Sequence, residues 1–166
     1  MATAKLLIED ADRSVTIEQM TEHDLLAVVE IEEESGLSPW GWDAYHKELQ
    51  SPEDVIMLVA RAESASQSVG GFIVSRLIGA ELHVYNVAVR PELRRLGVAA
   101  RLVRAVLEWG RLKGAELAFL EVREENSAAQ ELYRSCGFRL AGRRRQYYAA
   151  PVEDALLMSV SLKSKP

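Results

Sequence analysis

Apolar residues change their spacing several times along these 166 residues, and each change marks an element. "SVTIEQM" (14–20) alternates apolar and polar positions, the period of a strand with one buried face. In "TEHDLLAVVEIEEES" (21–35), Leu25, Val28, Val29 and Glu32 step at helical spacing, and Thr21 and Asp24 make a capping pair. "GLSPWGW" (36–42), broken by Pro39 and two glycines, predicts a loop. "DAYHKELQ" (43–50) predicts a second, short helix. "DVIMLVARA" and "VGGFIVSRLIG" are strands joined by "ESASQS", a hairpin by composition. "ELHVYNVAV" (81–89) is a further strand, ended by Arg90-Pro91.

The spacing then turns helical again. Val98, Leu102 and Val106, with a rim of Val103, Leu107 and Leu112, mark one apolar face of a helix that Gly114 ends. "AELAFLEV" (115–122) is apolar enough to predict a strand buried on both faces. Asn126 or Ser127 caps a helix over "AAQELYRSC" that stops at Gly137. "FRLAGRRRQYY" and "EDALLMSVSL" predict two long closing strands linked around Pro151. The pattern gives a single α/β domain over 14–162, with about seven strands in a mixed sheet and about four helices. Residues 1–13 are expected to form a flexible leader.

Composition narrows the class. With 48% hydrophobic and 27% charged residues the chain has the make-up of a globular domain. No apolar run approaches the roughly 20 residues that span a bilayer, so no membrane contact is expected. The acidic turn taken by "MATAKLLIEDADRS" makes a poor signal peptide, and a cytoplasmic location is the expectation. A single cysteine, Cys136, leaves no internal disulfide and no cysteine-based zinc site. His23, His46 and His83 lack ligand spacing, so no metal is expected.

Charge adds a further feature. Residues 1–60 carry 14 acidic and 3 basic side chains, whereas residues 90–145 carry 13 basic and 7 acidic ones. Either two faces meet partners of opposite sign, or both are solvated surfaces.

Candidate chemistry is densest in "VRPELRRLGVAARL" (89–102), where a strand passes through a glycine-containing turn into a helix. The first amides of a helix have no intrahelical acceptor, and the helix dipole adds positive potential there. Gly97 permits close backbone approach or a positive φ, Ala99 keeps bulk away, and Arg94, Arg95 and Arg101 add positive charge. Such a turn could hold a pyrophosphate, or be a solvated helix start. It lacks the Lys and Ser/Thr of a Walker loop and the three glycines of a dinucleotide fold.

"YNVAVRPELRRLGVAARLV" resembles the acetyl-CoA motif of the GCN5-related N-acetyltransferases (GNAT), whose core is Q/R-x-x-G-x-G/A. "LEVREENSAAQELYRSCGF", "RRRQYY" and "EDALLM" follow in order, and with the "SPW" loop they resemble the ribosomal-protein-alanine N-acetyltransferase branch. The likeness covers roughly residues 14–162. Ala99 stands where a glycine is commonest.

That resemblance implies a sheet splayed at the cofactor site, with the pantetheine arm of acetyl-CoA paired to Val87, Ala88 and Val89. It implies a pyrophosphate on the amides of Arg95, Leu96, Gly97, Val98, Ala99 and Ala100. Glu121 would be the general base and Tyr133 the acid for the departing thiolate. A backbone N–H near Val87 would meet the oxyanion. Asn126 would touch the cofactor arm, and Pro39, Trp40, Tyr147 and Tyr148 the acceptor. The acid run Glu32, Glu33, Glu34 would favour a cationic peptide.

The residues themselves leave alternatives open. Glu121 could be ion-paired with Arg123 or a neighbouring arginine, Tyr133 could be a core tyrosine, Asn126 a simple cap, and the acid run a solvated face. The expected acceptor is a protein or peptide N-terminus, a ribosomal protein among them, reached by direct transfer in a ternary complex. The expected state is a monomer or weak dimer that does not engage nucleic acid. A lysine or small-molecule amine acceptor, a non-catalytic acyl-CoA sensor and an RNA-binding arginine patch are the competing readings.

Overall fold

A computed structural model describes residues 15–37, 39–63 and 68–163. The expected leader over 1–13 and the tip of the "ESASQS" connection lie outside the described residues.

Seven strands form one sheet in the order β1-β2-β3-β4-β5-β7-β6. They are β1 (Val15–Gln19), β2 (Val55–Ala62), β3 (Val69–Ile78), β4 (Glu81–Val89), β5 (Leu117–Arg123), β6 (Arg139–Ala149) and β7 (Val152–Ser161). Every neighbouring pair is antiparallel except β4 and β5. The four helices are α1 (Leu25–Glu34), α2 (Gly41–Leu49), α3 (Val98–Leu112) and α4 (Ser127–Ser135).

Strand alternation divides the core between the two sheet faces. Ile56, Leu58 and Ala60 of β2 join α3, α4 and β5 in one buried cluster. Val55, Met57 and Val59, one residue out of step, join Leu25, Val28, Ile31 and Tyr45 under α1 and α2. The centre of the sheet is therefore covered twice, as its unbroken apolar runs require. Gly110 lets α3 sit close on β4: a Cβ there would come 2.8 Å from Leu82 Cδ2.

Three expectations need correction. β5 is buried on one face only: Ala118, Leu120 and Val122 are buried, whereas Leu117, Phe119, Glu121 and Arg123 are half-buried. Neither α1 nor α2 extends over that second face, and this gives Glu121 an open side without the cost of burying its charge. Leu112 is 74% exposed: it lies off the buried face of α3, whereas Gly110 in the same turn packs on Leu82. α2 begins at Gly41, inside the predicted loop, because the Glu32 carboxylate accepts from the amides of Trp40 (2.5 Å) and Gly41 (3.3 Å). The two charge-biased segments also meet one another: Arg90 pairs with Glu30 (3.0 Å) and Glu34 (3.3 Å).

Candidate active site

β4 and β5 pair only from Glu81↔Leu117 to Val84↔Leu120. Beyond that they part. β4 carries a bulge, because Val84 faces Ser75 while Asn86 already faces Val74, leaving Tyr85 as the extra residue. From there Val87, Ala88 and Val89 follow β3, whereas Glu121, Val122 and Arg123 follow β7. The result is a wedge with one unpaired backbone edge on each side.

The turn into α3 closes the end of this wedge. Arg95 (φ 63) and Gly97 (φ 77) both lie in the left-handed region, an uncommon setting for an arginine. The first helical bond runs from Arg101 N to Gly97 O (3.1 Å), so the helix leaves the amides of Val98, Ala99 and Ala100 free. No side chain caps α3, whereas Asn126 caps α4 by accepting from Ala129 N (3.1 Å). A Cβ at Gly97 would meet nothing within 4 Å. Free amides, open space at Gly97 and an edge strand leading in are what a diphosphate-bearing cofactor with an amide-rich arm needs, so the residues fit acetyl-CoA.

The arginines divide in a way the sequence did not show. Arg101 Nη1 donates to Val15 O (2.9 Å) and Arg94 Nε to Val89 O (3.0 Å), so both guanidiniums hold the scaffold. Among the described residues Arg95 has no such partner.

Glu121 sits on the half-open face, with its carboxylate 2.9 Å from Arg144 Nε. An arginine ion pair, the alternative reading of this residue, does form, with Arg144; Arg123 pairs with Glu153 (3.4 Å) and lies over the Tyr148 ring (4.1 Å). The nearby Glu121 carboxylate, followed by burial, raises the Tyr147 phenol above its usual range. Burial, then the Glu121 charge, pushes Tyr148 up to about 12. The rings of Tyr147 and Tyr148 meet edge to face at 5.1 Å.

Trp40 stands at the start of α2, stacked on Tyr45 (5.3 Å) and tilted against Tyr85 (5.5 Å). His83 and Phe119 continue this aromatic row across β4 and β5, 5.7 Å apart. Phe119 lies two residues from Glu121 on the same face of β5. Trp40 and the tyrosine pair thus border one half-open surface with Glu121 within it.

Tyr133, from α4, packs into the core on the α3 side of the sheet, with the Tyr148 phenol near enough to help burial raise its own pKa. It is 8% exposed, packs edge to face with Phe138 (5.9 Å), and has no hydrogen-bond partner among the described residues. Burial raises its phenol far above the usual value. Asn126 is the cap of α4, and this uses its carbonyl oxygen.

Sequence reasoning missed a second set of residues. Glu32 is 1% exposed and also accepts from Tyr45 Oη (2.9 Å), which in turn accepts from Asn86 Nδ2 (2.9 Å). Glu32 therefore supports the Trp40 loop, and the acid run is not a set of equivalent surface charges. Its helical register beside Leu25 and Val28 was the available signal. Tyr85 and Arg144 depend on bulges, and these leave no local pattern.

The acetyltransferase (GNAT) family matches residues 25–138, and the chain belongs to that family. It is an acetyl-CoA-dependent N-acetyltransferase. Among its relatives, the N-alpha-acetyltransferase RimI of Mycobacterium tuberculosis is 36% identical over 149 residues, covering 87% of this chain and 90% of that one. The [ribosomal protein bS18]-alanine N-acetyltransferase of Salmonella typhimurium is 30% identical, covering 89% and 97%. The crystal structure of the ribosomal-protein-S18-alanine N-acetyltransferase from Escherichia coli superposes with a TM-score of 0.79 at 27% identity, covering 92% of this chain and 96% of that one.

Proposed function

We propose that the chain acetylates the N-terminal α-amine of a protein, with an alanine of a small-subunit ribosomal protein as the acceptor. Two relatives with that activity in their names, matched over nearly their whole length, support the acceptor class. The observation that carries the reading is the position of Glu121. It is a carboxylate on the rim of the β4–β5 wedge, on the surface that Trp40, Tyr147 and Tyr148 border.

Val87, Ala88 and Val89 would pair with the arm of acetyl-CoA, and the amides from Arg95 to Ala100 would take its pyrophosphate. When bound, it supplies an acetyl group activated as a thioester. The Val87 N–H would polarise the acetyl carbonyl oxygen. A protein α-amine has a pKa near 7.7–8.0, so at neutral pH it arrives mostly as an ammonium. Glu121 Oε would take that proton, directly or through one water. As the nitrogen bonds to the acetyl carbon and the carbon–sulfur bond breaks, Tyr133 Oη would give a proton to the leaving sulfur and regain one from the second proton that the nitrogen sheds, carried by water; burial keeps the phenol protonated between turnovers. Trp40, Tyr147 and Tyr148 would orient the peptide, and both substrates would be bound together.

The test is incubation with acetyl-CoA and peptides starting with alanine, with free or blocked N-termini, read by mass spectrometry. One acetyl group on the free α-amine and none on the blocked peptide is expected. Modification confined to internal lysines would overturn the acceptor assignment.

A further inference from the structure

The "EDALLM" segment of β7 gains no role from the reaction as described, yet one of its residues faces an irregularity beside the site. In β6, Arg144 pairs with Ala155 and Tyr148 with Glu153, so Arg145, Gln146 and Tyr147 stand opposite Asp154 alone. We propose that Asp154 is a positioning residue: it pins this bulge and thereby holds Arg144 and Tyr147 around Glu121. This rests on the acceptor-site reading above.

The contacts are specific. Asp154 Oδ1 accepts from the Gln146 amide (2.9 Å), and Oδ2 accepts from Arg143 Nη1 (3.0 Å). Gln146 has φ 50, a conformation that a side chain-bearing residue adopts only when its surroundings hold it there. In a regular strand, residues three apart point to opposite faces, so Arg144 and Tyr147 could not share a side of the sheet. Here the Arg144 guanidinium lies 2.9 Å from Glu121 and 5.7 Å from the Tyr147 ring. β6 is the last strand of the sheet and nearly all of it is exposed, so it has no further neighbour to set its path. The backbone bond to Asp154 supplies that constraint. Asp154 touches none of the reacting groups and acts through the bulge.

Three variants test this. Asp154→Ala removes the acceptor for Gln146 N–H, Asp154→Asn keeps an oxygen there, and Arg143→Ala breaks the ion pairs of Arg143 with Asp154 and Glu124 while leaving the Gln146 bond in place. With an alanine-starting peptide, Asp154→Ala is expected to raise the peptide KM about tenfold while acetyl-CoA affinity stays within about twofold. Asp154→Asn and Arg143→Ala should stay within about threefold of the parent KM. Hydrogen exchange at the Gln146 amide, followed by NMR, should show protection in the parent and in Asp154→Asn and its loss in Asp154→Ala. A parent-like KM for Asp154→Ala overturns the proposal, as does equal impairment of the Asn and Ala variants. So does a fall in kcat and melting temperature with both substrate affinities unchanged, which would make the role one of folding. A parent enzyme inert on every peptide overturns the acceptor reading and the proposal with it, and intact Gln146 protection then marks the acceptor reading as the part that failed.

Discussion

Arg144 and Glu121 come from strands separated by β7, yet their side chains meet at 2.9 Å. The arginine is 57% exposed, so the pair contributes at most about 1 kcal/mol and can part when a cationic acceptor arrives. An arriving ammonium would find a carboxylate already oriented. Glu121→Gln keeps the shape and removes the proton acceptor. It is expected to lower kcat/KM for the peptide by about 10²- to 10⁴-fold at neutral pH. Acetyl-CoA affinity, measured by calorimetry, should stay within about twofold. A variant with parent-like turnover would remove Glu121 from the chemistry.

Gly97 and Gly79 allow a paired test of the anion turn. Both have positive φ (77° and 61°), and at both a Cβ would meet nothing within 4 Å. Alanine at either position should therefore cost about 1–2 kcal/mol through backbone strain alone. Only Gly97 lies in the turn proposed to take the pyrophosphate. Gly97→Ala is expected to weaken acetyl-CoA binding at least about tenfold, and Gly79→Ala to leave it unchanged at similar loss of stability. Thermal melts with calorimetric titration check both halves. Equal acetyl-CoA affinity in the two variants would show that the turn does not touch the cofactor.

Helices, the sheet and the turn into α3 were legible because each follows from local rules. Alternation marked β1 and apolar runs marked the later strands, the Val98-Leu102-Val106 stripe gave α3, and Arg90-Pro91 followed by Gly97 marked the turn. The individual site residues came from resemblance as much as from pattern, since a lone glutamate in a strand or a lone tyrosine in a helix has no local signature. The buried set was not legible. Glu32 looked like one acid in a run of three, and only the fold aims Trp40 N, Gly41 N and Tyr45 Oη at it. Arg144 was invisible as a neighbour of Glu121 because the bulge at Gln146 is set by a partner strand, across eight residues of chain.

Tyr133 bears on the alkaline side of the pH profile. Its folded pKa is raised, first by burial, above the ordinary value near 10. The phenol thus keeps its proton throughout the working range. Its contribution to stability is complete below about pH 10 and is lost as pH rises towards the folded value. No fall in kcat from its ionisation is expected below about pH 10. Tyr133→Phe should lower kcat by about 10²-fold or more without altering acetyl-CoA affinity. A decline in kcat near pH 8–9 that vanishes in Tyr133→Phe would contradict the burial argument.

The Glu32–Tyr45–Asn86 network predicts a stability effect that grows with the number of partners stranded. Glu32→Ala leaves the Trp40 and Gly41 amides and the Tyr45 hydroxyl facing an apolar cavity. Each donor left unsatisfied costs about 1–3 kcal/mol, so stranding these three is expected to cost about 3 kcal/mol or more. That is a large share of the 5–15 kcal/mol typical of a domain, so low yield of folded protein is expected. Tyr45→Phe keeps the ring stacked on Trp40 and strands only single bonds at Glu32 and Asn86. It is expected to cost about 1–3 kcal/mol. Urea unfolding should show the Tyr45→Phe midpoint lowered at unchanged slope. A shift below about 0.5 kcal/mol would mean that the hydroxyl is not what ties α2 to β4, and that apolar packing around Tyr45 holds the acceptor loop by itself.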